Sequence, residues 1–343
     1  MNLKQSWKLV WLGVCALLFL ISFFSFQGIQ NPAWTGATMG TTYSITLVDR
    51  LRPAELQEIK AEVEERLTEV NAKMSTWESD SEISQFNNFQ SLEPFAVSPE
   101  FASVLERALE IAASTDGAFD PTVKPLVDHW GFGVRQISNI EHRISNDEVA
   151  KIMEFVGWEK VCLSNDALMK VHPKLQIDLS AIAKGYGVDA VAEVIRSFGL
   201  KDFLVEIGGE IAVSGLNREK KPWRVGVESP NGTEIFQALE LRGGAMATSG
   251  DYRNFRTRED GTRFSHIIDP HTGYPAETDV ASVSVLADSC MDADAVATAL
   301  FVMGSEKGMA WLSQYPEFEA FFILHSADGT FTTRSTDGFP KEP

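Results

Sequence analysis

Hydrophobic residues recur along this chain at two spacings, one typical of helices and one typical of strands. Residues 53–74 carry apolar side chains three or four positions apart behind Pro53, which predicts an amphipathic helix. The same spacing predicts helices at 98–114 and 146–155. Residues 41–48 alternate and are rich in β-branched side chains, so they predict a strand.

The later part of the chain mixes both spacings irregularly. Residues 175–199 indicate a strand, a tight connection and a helix that ends at Gly199, and another helix is expected from about residue 291 to Gly304. Strand patterns lie at 203–215, 223–230, 238–255 and 281–287, and residues 263–275 indicate a strand that runs into a proline-bounded loop. This irregular order predicts an α+β fold in layers with a mixed sheet, rather than a regularly doubly wound fold.

The N-terminus has a different pattern. Lys4 and Lys8 precede an almost unbroken apolar run over residues 9–26, which is just long enough to span a bilayer. The basic flank is expected to stay on the cytoplasmic side. We therefore expect residues 1–30 to be a membrane-spanning signal anchor, with the rest of the chain outside the inner membrane, which in a bacterium is the periplasm.

The fate of this anchor has two readings. No small-x-small cleavage pattern follows before Trp34, which favours an uncleaved anchor. A lipoprotein is the alternative, although Cys15 lies inside the apolar run and Val14 is larger than the usual preceding residue. Residues 31–37 then indicate a linker, and residues 38–343 a single catalytic unit.

Composition excludes some functions. The 343 residues include 30 basic and 48 acidic side chains, and the net charge of −18 argues against a nucleic-acid-binding surface. Cys15, Cys162 and Cys290 form no CxxC pair, zinc spacing or disulfide framework. GxSxG and HExxH patterns are also missing, which disfavours a serine hydrolase or a zinc protease.

Asp294 and Thr298 are the first candidate for chemistry. Their spacing of four residues within 291–300 places a carboxylate and a hydroxyl on one helical face, whereas Asp292 points roughly the opposite way. Hard oxygen ligands of this kind suit Mg²⁺ beside substrate phosphates. A capped or solvated helix with a chance acid–hydroxyl pair is the alternative.

Three further side chains also have two readings each. Asp178 and Lys184 flank a predicted helix start, where they suit a nucleotide and its phosphate, or merely a helix cap and a solvated lysine. His266 follows a predicted strand and is a candidate general base, or a structural histidine; its neighbour His271 is not favoured.

Glycine pairs occur at Gly208-Gly209, Gly243-Gly244 and Gly185-x-Gly187. None fits a dinucleotide-binding GxGxxG or a P-loop, so each on its own indicates a turn or bulge. Their number in one chain favours a nucleotide-like ligand, because glycine lets backbone N–H groups approach phosphate.

Together, these segments resemble the FAD:protein FMN transferase family, also called the ApbE family. The resembling segments follow the family's order and cover nearly all of residues 38–304, at 39–45, 74–87, 116–122, 177–189, 205–211, 247–255, 266–275 and 291–300. The resemblance implies an ApbE-type, T-fold-like layered fold. It also implies that FAD is cleaved at its pyrophosphate, that FMN passes to a threonine hydroxyl of a target protein, and that AMP leaves.

The resemblance also implies the site residues. A Mg²⁺ site maps to the side chains of Asp294 and Thr298 and the backbone carbonyls of Ala181 and Ala297, and the general base maps to His266. Contacts to the flavin nucleotide map to Met39, Trp77, Ala118, Phe119, Asp120, Asp178, Lys184 and Ile268. The family often has tyrosine in place of Trp77, but tryptophan still offers an aromatic face for stacking.

The sequence leaves two other functions open. A Mg²⁺-dependent FAD pyrophosphatase would use the same site with water as acceptor, and a non-catalytic periplasmic protein would only hold flavin. For a transferase, the resemblance suggests an acceptor among membrane respiratory subunits of the sodium-pumping quinone reductase or a related electron-transport complex.

Overall fold

The computed structural model describes residues 28–133, 146–164, 167–232, 234–252, 255–257 and 263–341. The predicted membrane anchor lies outside these ranges up to residue 27. Within them, every helix is too short or too polar to cross a membrane.

Seven α-helices occur in the described ranges, and most follow the predicted spacing. They are α1 (Pro53–Met74), α2 (Glu82–Asn88), α3 (Pro99–Ser114), α4 (Lys124–His129), α5 (Asn146–Met153), α6 (Ala183–Ser197) and α7 (Cys290–Leu312). Proline stands at the start of both α1 and α3, and the Ser98 hydroxyl caps α3 by accepting from the Phe101 N–H. The sequence predicts that the last helix ends at about Gly304; α7 leaves helical geometry there, but its helical residues resume and continue to Leu312.

The first nine strands of the described ranges are β1 (Ala33–Thr38), β2 (Thr41–Leu47), β3 (Phe95–Ala96), β4 (Val161–Ser164), β5 (Ala167–Lys170), β6 (Phe203–Ile207), β7 (Glu210–Ser214), β8 (Trp223–Glu228) and β9 (Ile235–Leu241). Those that follow are β10 (Gly243–Gly250), β11 (Phe255–Thr257), β12 (Arg263–Ser265), β13 (Ile268–Asp269), β14 (Tyr274–Pro275), β15 (Val280–Ala287), β16 (Glu319–His325) and β17 (Phe331–Ser335).

One eight-stranded sheet organises the fold, in the order β1-β2-β6-β7-β10-β15-β16-β17. Each neighbouring pair in it is antiparallel. The α+β class is therefore confirmed, but the prediction of a mixed sheet is wrong. Neighbouring strands of this sheet are joined either by hairpins or by longer connections that bring the chain back in the opposite direction. The eight described strands therefore form no parallel pair.

Both faces of this sheet are covered. On β7, Ala212 packs toward the helices α1 and α6, whereas its neighbour Val213 packs toward the β8–β9 hairpin. On β16, Phe322 packs with α3 and α7, and Ile323 again faces the hairpin. Helices thus form one outer layer and a two-stranded hairpin forms the other.

Two sequence predictions of local structure need correction. Residues 33–37 of the expected linker belong to the edge strand β1, which turns into β2 through Met39 and Gly40, both at positive φ. Residues 175–179, expected as a strand, join no sheet. The side chain of Asn87 takes the place of a neighbouring strand there, because it pairs with both the N–H (2.7 Å) and the carbonyl (2.8 Å) of Ile177.

Candidate functional site

The candidate site forms where α6 crosses α7. A Cβ atom on Gly185 would lie 2.2 Å from the backbone oxygen of Cys290, so only glycine permits this approach. The Gly185 N–H donates to Oδ2 of Asp294 at 3.0 Å. The crossing therefore fixes the Asp294 carboxylate, which is only 3% exposed, beside the first turn of α6.

A second carboxylate completes a buried charge cluster at this crossing. The Lys184 ammonium donates to Oε1 of Glu210 at 2.5 Å and lies 3.9 Å from Oδ1 of Asp294. Glu210 is the first residue of β7, directly after the Gly208-Gly209 turn, and its side chain is 4% exposed. We call Lys184, Glu210 and Asp294 the charge cluster.

The cluster shifts the protonation of each member. Burial raises the pKa of Asp294 and of Glu210, because desolvation of each carboxylate outweighs the attraction of Lys184. Burial lowers the pKa of Lys184, but Asp294 and Glu210 together raise it above the usual value for lysine. Lys184 therefore keeps its positive charge across the neutral range.

Thr298 lies one helical turn beyond Asp294 on α7. Its hydroxyl is hydrogen bonded to the Ser249 hydroxyl of β10, with the two oxygens 3.1 Å apart. Asp292 accepts two hydrogen bonds from Arg107 on α3, at 2.7 and 3.1 Å. The prediction that Asp292 faces away from Asp294 is thus confirmed, and Asp294 and Thr298 remain the pair that shares a face.

The segment before α6 is tied to two other motifs. The Asp178 N–H donates to the carbonyl of Pro121 at 2.7 Å, and Oδ1 of Asp178 accepts from the Ser180 N–H at 2.8 Å. The Asn87 amide holds the preceding residue, Ile177. Ala181, whose carbonyl is a predicted metal ligand, lies in the turn that enters α6. Ala297, the other predicted carbonyl ligand, is fully buried on α7.

Ala118, Phe119 and Asp120 are buried in the loop after α3. Both oxygens of Asp120 are used within the protein: Oδ1 accepts from the N–H and hydroxyl of Thr122, and Oδ2 accepts from the Trp158 N–H at 3.0 Å. Burial raises the pKa of Asp120 although these hydrogen bonds lower it. The carboxylate therefore shapes this loop.

Met39 and Trp77 differ in their surroundings. Met39 lies in the β1–β2 turn and packs on α6, where a Cβ on Gly187 would lie 2.8 Å from its methyl carbon. The glycines of α6 thus serve close packing, against Cys290 and against Met39. Trp77 lies between α1 and α2 with 62% of its surface exposed, which leaves its ring open to a flat partner.

His266 directly follows β12, and its ring packs on that of Phe132 in an edge-to-face arrangement with centroids 6.2 Å apart. Ile268 is buried in a small hydrophobic cluster with Leu126 of α4, so its side chain has a packing role. His271 hydrogen bonds the Asp116 carbonyl at 2.7 Å. That contact ties the loop after β13 to the segment that contains Ala118–Asp120.

The structure brings the predicted residues Lys184 and Asp294 together, and it packs Met39 on α6, the helix that carries Lys184. Within the described residues it does not join Trp77 or Ile268 to the charge cluster by a hydrogen bond. Sequence reasoning missed Glu210 and Ser249. Both lie inside segments that the sequence singles out, 205–211 and 247–255. Only their tertiary contacts, with Lys184 and Thr298, distinguish them from the other residues of those segments.

Comparison with known proteins gives one consistent family. A model of the ApbE family matches residues 39–322. The FAD:protein FMN transferase of Vibrio cholerae is 42% identical over 325 residues, covering 93% of this chain and 95% of that protein. The corresponding Haemophilus influenzae protein is 40% identical over 316 residues, covering 90% of each.

Solved structures give the same result for the fold. The flavin transferase ApbE from Vibrio cholerae superposes with a TM-score of 0.83 at 41% identity, covering 90% of this chain and 98% of that one. The apo flavinyl transferase ApbE of Pseudomonas stutzeri gives 0.82 at 34% identity, covering 90% and 96%.

Proposed function

The chain belongs to the ApbE family, and we propose that its charge cluster is the centre of an FAD:protein FMN transferase. The enzyme transfers FMN from FAD to a target protein. One structural observation carries the assignment of the site. The Gly185 contact with α7 holds a buried lysine and a buried aspartate beside each other, which suits a phosphate and the cation that accompanies it.

The proposed acceptor group is a threonine hydroxyl of the target protein. Its oxygen attacks the phosphorus of the FMN half of FAD, so an oxygen–phosphorus bond forms and the phosphoanhydride bond breaks. AMP leaves with the bonding electron pair. The hydroxyl proton passes to the imidazole of His266, which is expected to contribute about 10²–10⁴-fold in rate as a general base.

Lys184 and Asp178 are proposed to orient the substrate. The ammonium of Lys184 attracts the diphosphate, and its raised pKa keeps it charged while the anhydride bond breaks. Asp178, held by Pro121 and Ser180, accepts hydrogen bonds from the nucleotide. The open ring of Trp77 stacks on a flat ring of FAD.

Mg²⁺ is the proposed cofactor. The described residues contain no group of three or more His, Cys, Asp or Glu side chains arranged for a metal ion. The proposed ligand set is of another kind, with one carboxylate (Asp294), one hydroxyl (Thr298) and the carbonyls of Ala181 and Ala297. It fits a hard cation, because the charge cluster holds two buried carboxylates against one ammonium. When bound, the ion would supply charge neutralisation at the diphosphate.

The location and the acceptor also belong to this proposal. The apolar run at residues 9–26 and the basic residues before it support an anchor in the inner membrane with the catalytic part in the periplasm. That position favours acceptors among membrane respiratory subunits of the sodium-pumping quinone reductase or a related electron-transport complex.

The test mixes the purified full-length protein with FAD, Mg²⁺ and a candidate acceptor subunit. We expect flavin fluorescence on the acceptor band in a denaturing gel, one AMP released per FMN attached, and loss of both in chelator. Replacing the acceptor threonine by valine is the control. AMP release without labelling would instead indicate a pyrophosphatase, and bound FAD without AMP would indicate a flavin-holding protein.

A further inference from the structure

Glu210 lies at the charge cluster without a role in the reaction described so far. We propose that Glu210 is a positioning residue: its carboxylate holds the Lys184 ammonium away from Asp294, so that Asp294 remains available to a divalent cation. This proposal rests on the proposed metal-dependent function and concerns the same site.

The distances show that Lys184 is hydrogen bonded to Glu210 and not to Asp294. Its Nζ makes a short charge-assisted hydrogen bond of 2.5 Å with Glu210 but stands 3.9 Å from Asp294, beyond hydrogen-bond range. A direct Lys184–Asp294 hydrogen bond would have to break before a cation could reach the same oxygen. Glu210 prevents that competition by offering the ammonium a closer partner.

The two carboxylate oxygens of Asp294 have different neighbours. Oδ2 accepts from the Gly185 N–H, and Oδ1 is the oxygen that faces Lys184. Oδ1 is therefore the oxygen that a cation and the ammonium would share. Two buried carboxylates share one ammonium, so ionisation of both leaves one negative charge that a bound cation would offset.

Glu210 is held in place independently of the helices. It begins β7, which is registered to β6 through the pairing of Glu210 with Ile207. A Cβ on Gly208 would lie 2.9 Å from Thr41 on β2, so the turn before Glu210 is also packed tightly. The sheet therefore fixes the position of the Glu210 carboxylate, and Lys184 reaches it from α6. Among the described residues its second oxygen, Oε2, is buried without a hydrogen-bond partner.

The test is a double-mutant cycle read by Mn²⁺ binding, measured by electron paramagnetic resonance on the protein without FAD. Glu210→Gln keeps the size of the side chain but removes its charge, so Lys184 should move to Asp294 and Mn²⁺ affinity should fall about tenfold or more. Lys184→Met should not weaken Mn²⁺ binding. In the Lys184→Met background, Glu210→Gln should change the affinity by less than twofold, because the competing ammonium is gone.

Glu206→Gln is the matched control, since Glu206 flanks the same glycine turn but accepts from the Gly209 N–H at 2.8 Å. It should leave Mn²⁺ affinity unchanged. Glu210→Asp, which keeps the charge on a shorter side chain, should give an intermediate affinity and serves if Glu210→Gln does not fold.

Three results would overturn the proposal. They are an unchanged Mn²⁺ affinity in the Glu210 variants, an equal loss in the Lys184→Met background, and the failure of the wild-type protein to bind Mn²⁺. The second would indicate a general charge effect. Because this readout needs neither FAD nor an acceptor, a failure of FMN transfer alone would contradict the proposed function and not the role of Glu210.

Discussion

The two oxygens of the Asp294 carboxylate make different contributions to the site. One carboxylate oxygen secures the crossing of α6 and α7 by accepting from Gly185, and the other faces Lys184. A substitution that retains the first contact and removes the charge therefore separates the structural contribution of the residue from its proposed role as a metal ligand.

Asp294→Asn is expected to retain the fold, since an amide oxygen still accepts from Gly185. It should lower FMN transfer by about 10²-fold or more, because charge stabilisation by a metal contributes several kcal/mol. Initial rates across a Mg²⁺ titration check this. Asp292→Asn, which touches Arg107 instead, is the control. Wild-type activity in chelator would refute the metal role.

His266→Ala is expected to bind FAD normally but to lower the rate of FMN transfer by about 10²–10⁴-fold. Without the imidazole, no general base accepts the proton of the threonine hydroxyl as it attacks phosphorus. FAD binding is measured by quenching of flavin fluorescence and transfer by in-gel fluorescence. His172→Ala, at a histidine that stacks on Phe155, is the control. Unchanged flavinylation in His266→Ala would contradict the assignment.

At the scale of the elements, the site depends on how closely two helices approach. Asp189 of α6 caps the start of α7 by accepting from the Ser289 hydroxyl and from the Cys290 and Met291 N–H groups. Together with the Gly185 contact, this cap sets both the distance and the register of the two helices. Lys184 and Asp294 face each other because of that register.

Gly185→Ala should therefore damage stability and activity together. The added Cβ would overlap the Cys290 carbonyl, and relief by separating the helices is expected to cost roughly 1–3 kcal/mol. Urea unfolding and FMN transfer measure the two effects. Gly243→Ala is the control, since a Cβ there meets nothing within 4 Å. A fully stable and active Gly185→Ala would show that the crossing tolerates a wider spacing.

Elements with strong internal periodicity are the ones that the sequence predicts well. Helix α1 begins and ends as expected because proline marks its start and its apolar stripe is regular. Strand β1 falls mostly in the expected linker, because the residues at 33–38 are small or polar apart from Trp34 and do not show the alternation that their burial has. Residues 175–179 follow a strand pattern, but the Asn87 side chain satisfies Ile177 in place of a neighbouring strand.

The site residues show the same limit. Asp294 and Lys184 were predicted because the family resemblance assigns a role to each of them, whereas it assigns none to Glu210 in segment 205–211. Glu210 was not predicted, because the sequence places Glu206 and Glu210 alike on either side of a glycine pair. Only the tertiary structure shows that Glu206 binds its own turn whereas Glu210 binds Lys184.

At the scale of the whole molecule, one ion cluster joins three helices, and its member Tyr186 directly follows Gly185 on α6. Glu100 of α3 accepts from Arg66 and Lys73 of α1 and from Tyr186 of α6. Burial raises the pKa of Glu100, but these hydrogen bonds outweigh it and lower the pKa to about 2. The carboxylate is thus far more acidic in the folded protein than in the unfolded chain.

This difference predicts how stability depends on pH. Because the folded pKa lies below the unfolded value of 4.5, Glu100 stabilises the protein above pH 4.5, and that stabilisation is lost as the pH falls toward 2. Glu100→Gln should cost roughly 1–3 kcal/mol at pH 7. Urea unfolding from pH 7 to pH 3 should show the gap to wild type narrowing below pH 4.5.

Glu110→Gln is the matched control on the same helix, since its partner Arg107 forms an exposed pair worth about 0–1 kcal/mol. A gap for Glu100→Gln that stays constant with pH would contradict the assigned pKa.

The interruption at Gly304 gives helix α7 two mechanically separate parts. Asp279, the residue directly before β15, caps the second part by accepting from the N–H and hydroxyl of Ser305. We expect a rotation or shift in residues 305–312 to be absorbed at this break rather than passed along the helix axis to Asp294 and Thr298. We therefore expect substitutions in residues 305–312 to act through packing, and substitutions before Gly304 to act on the site as well.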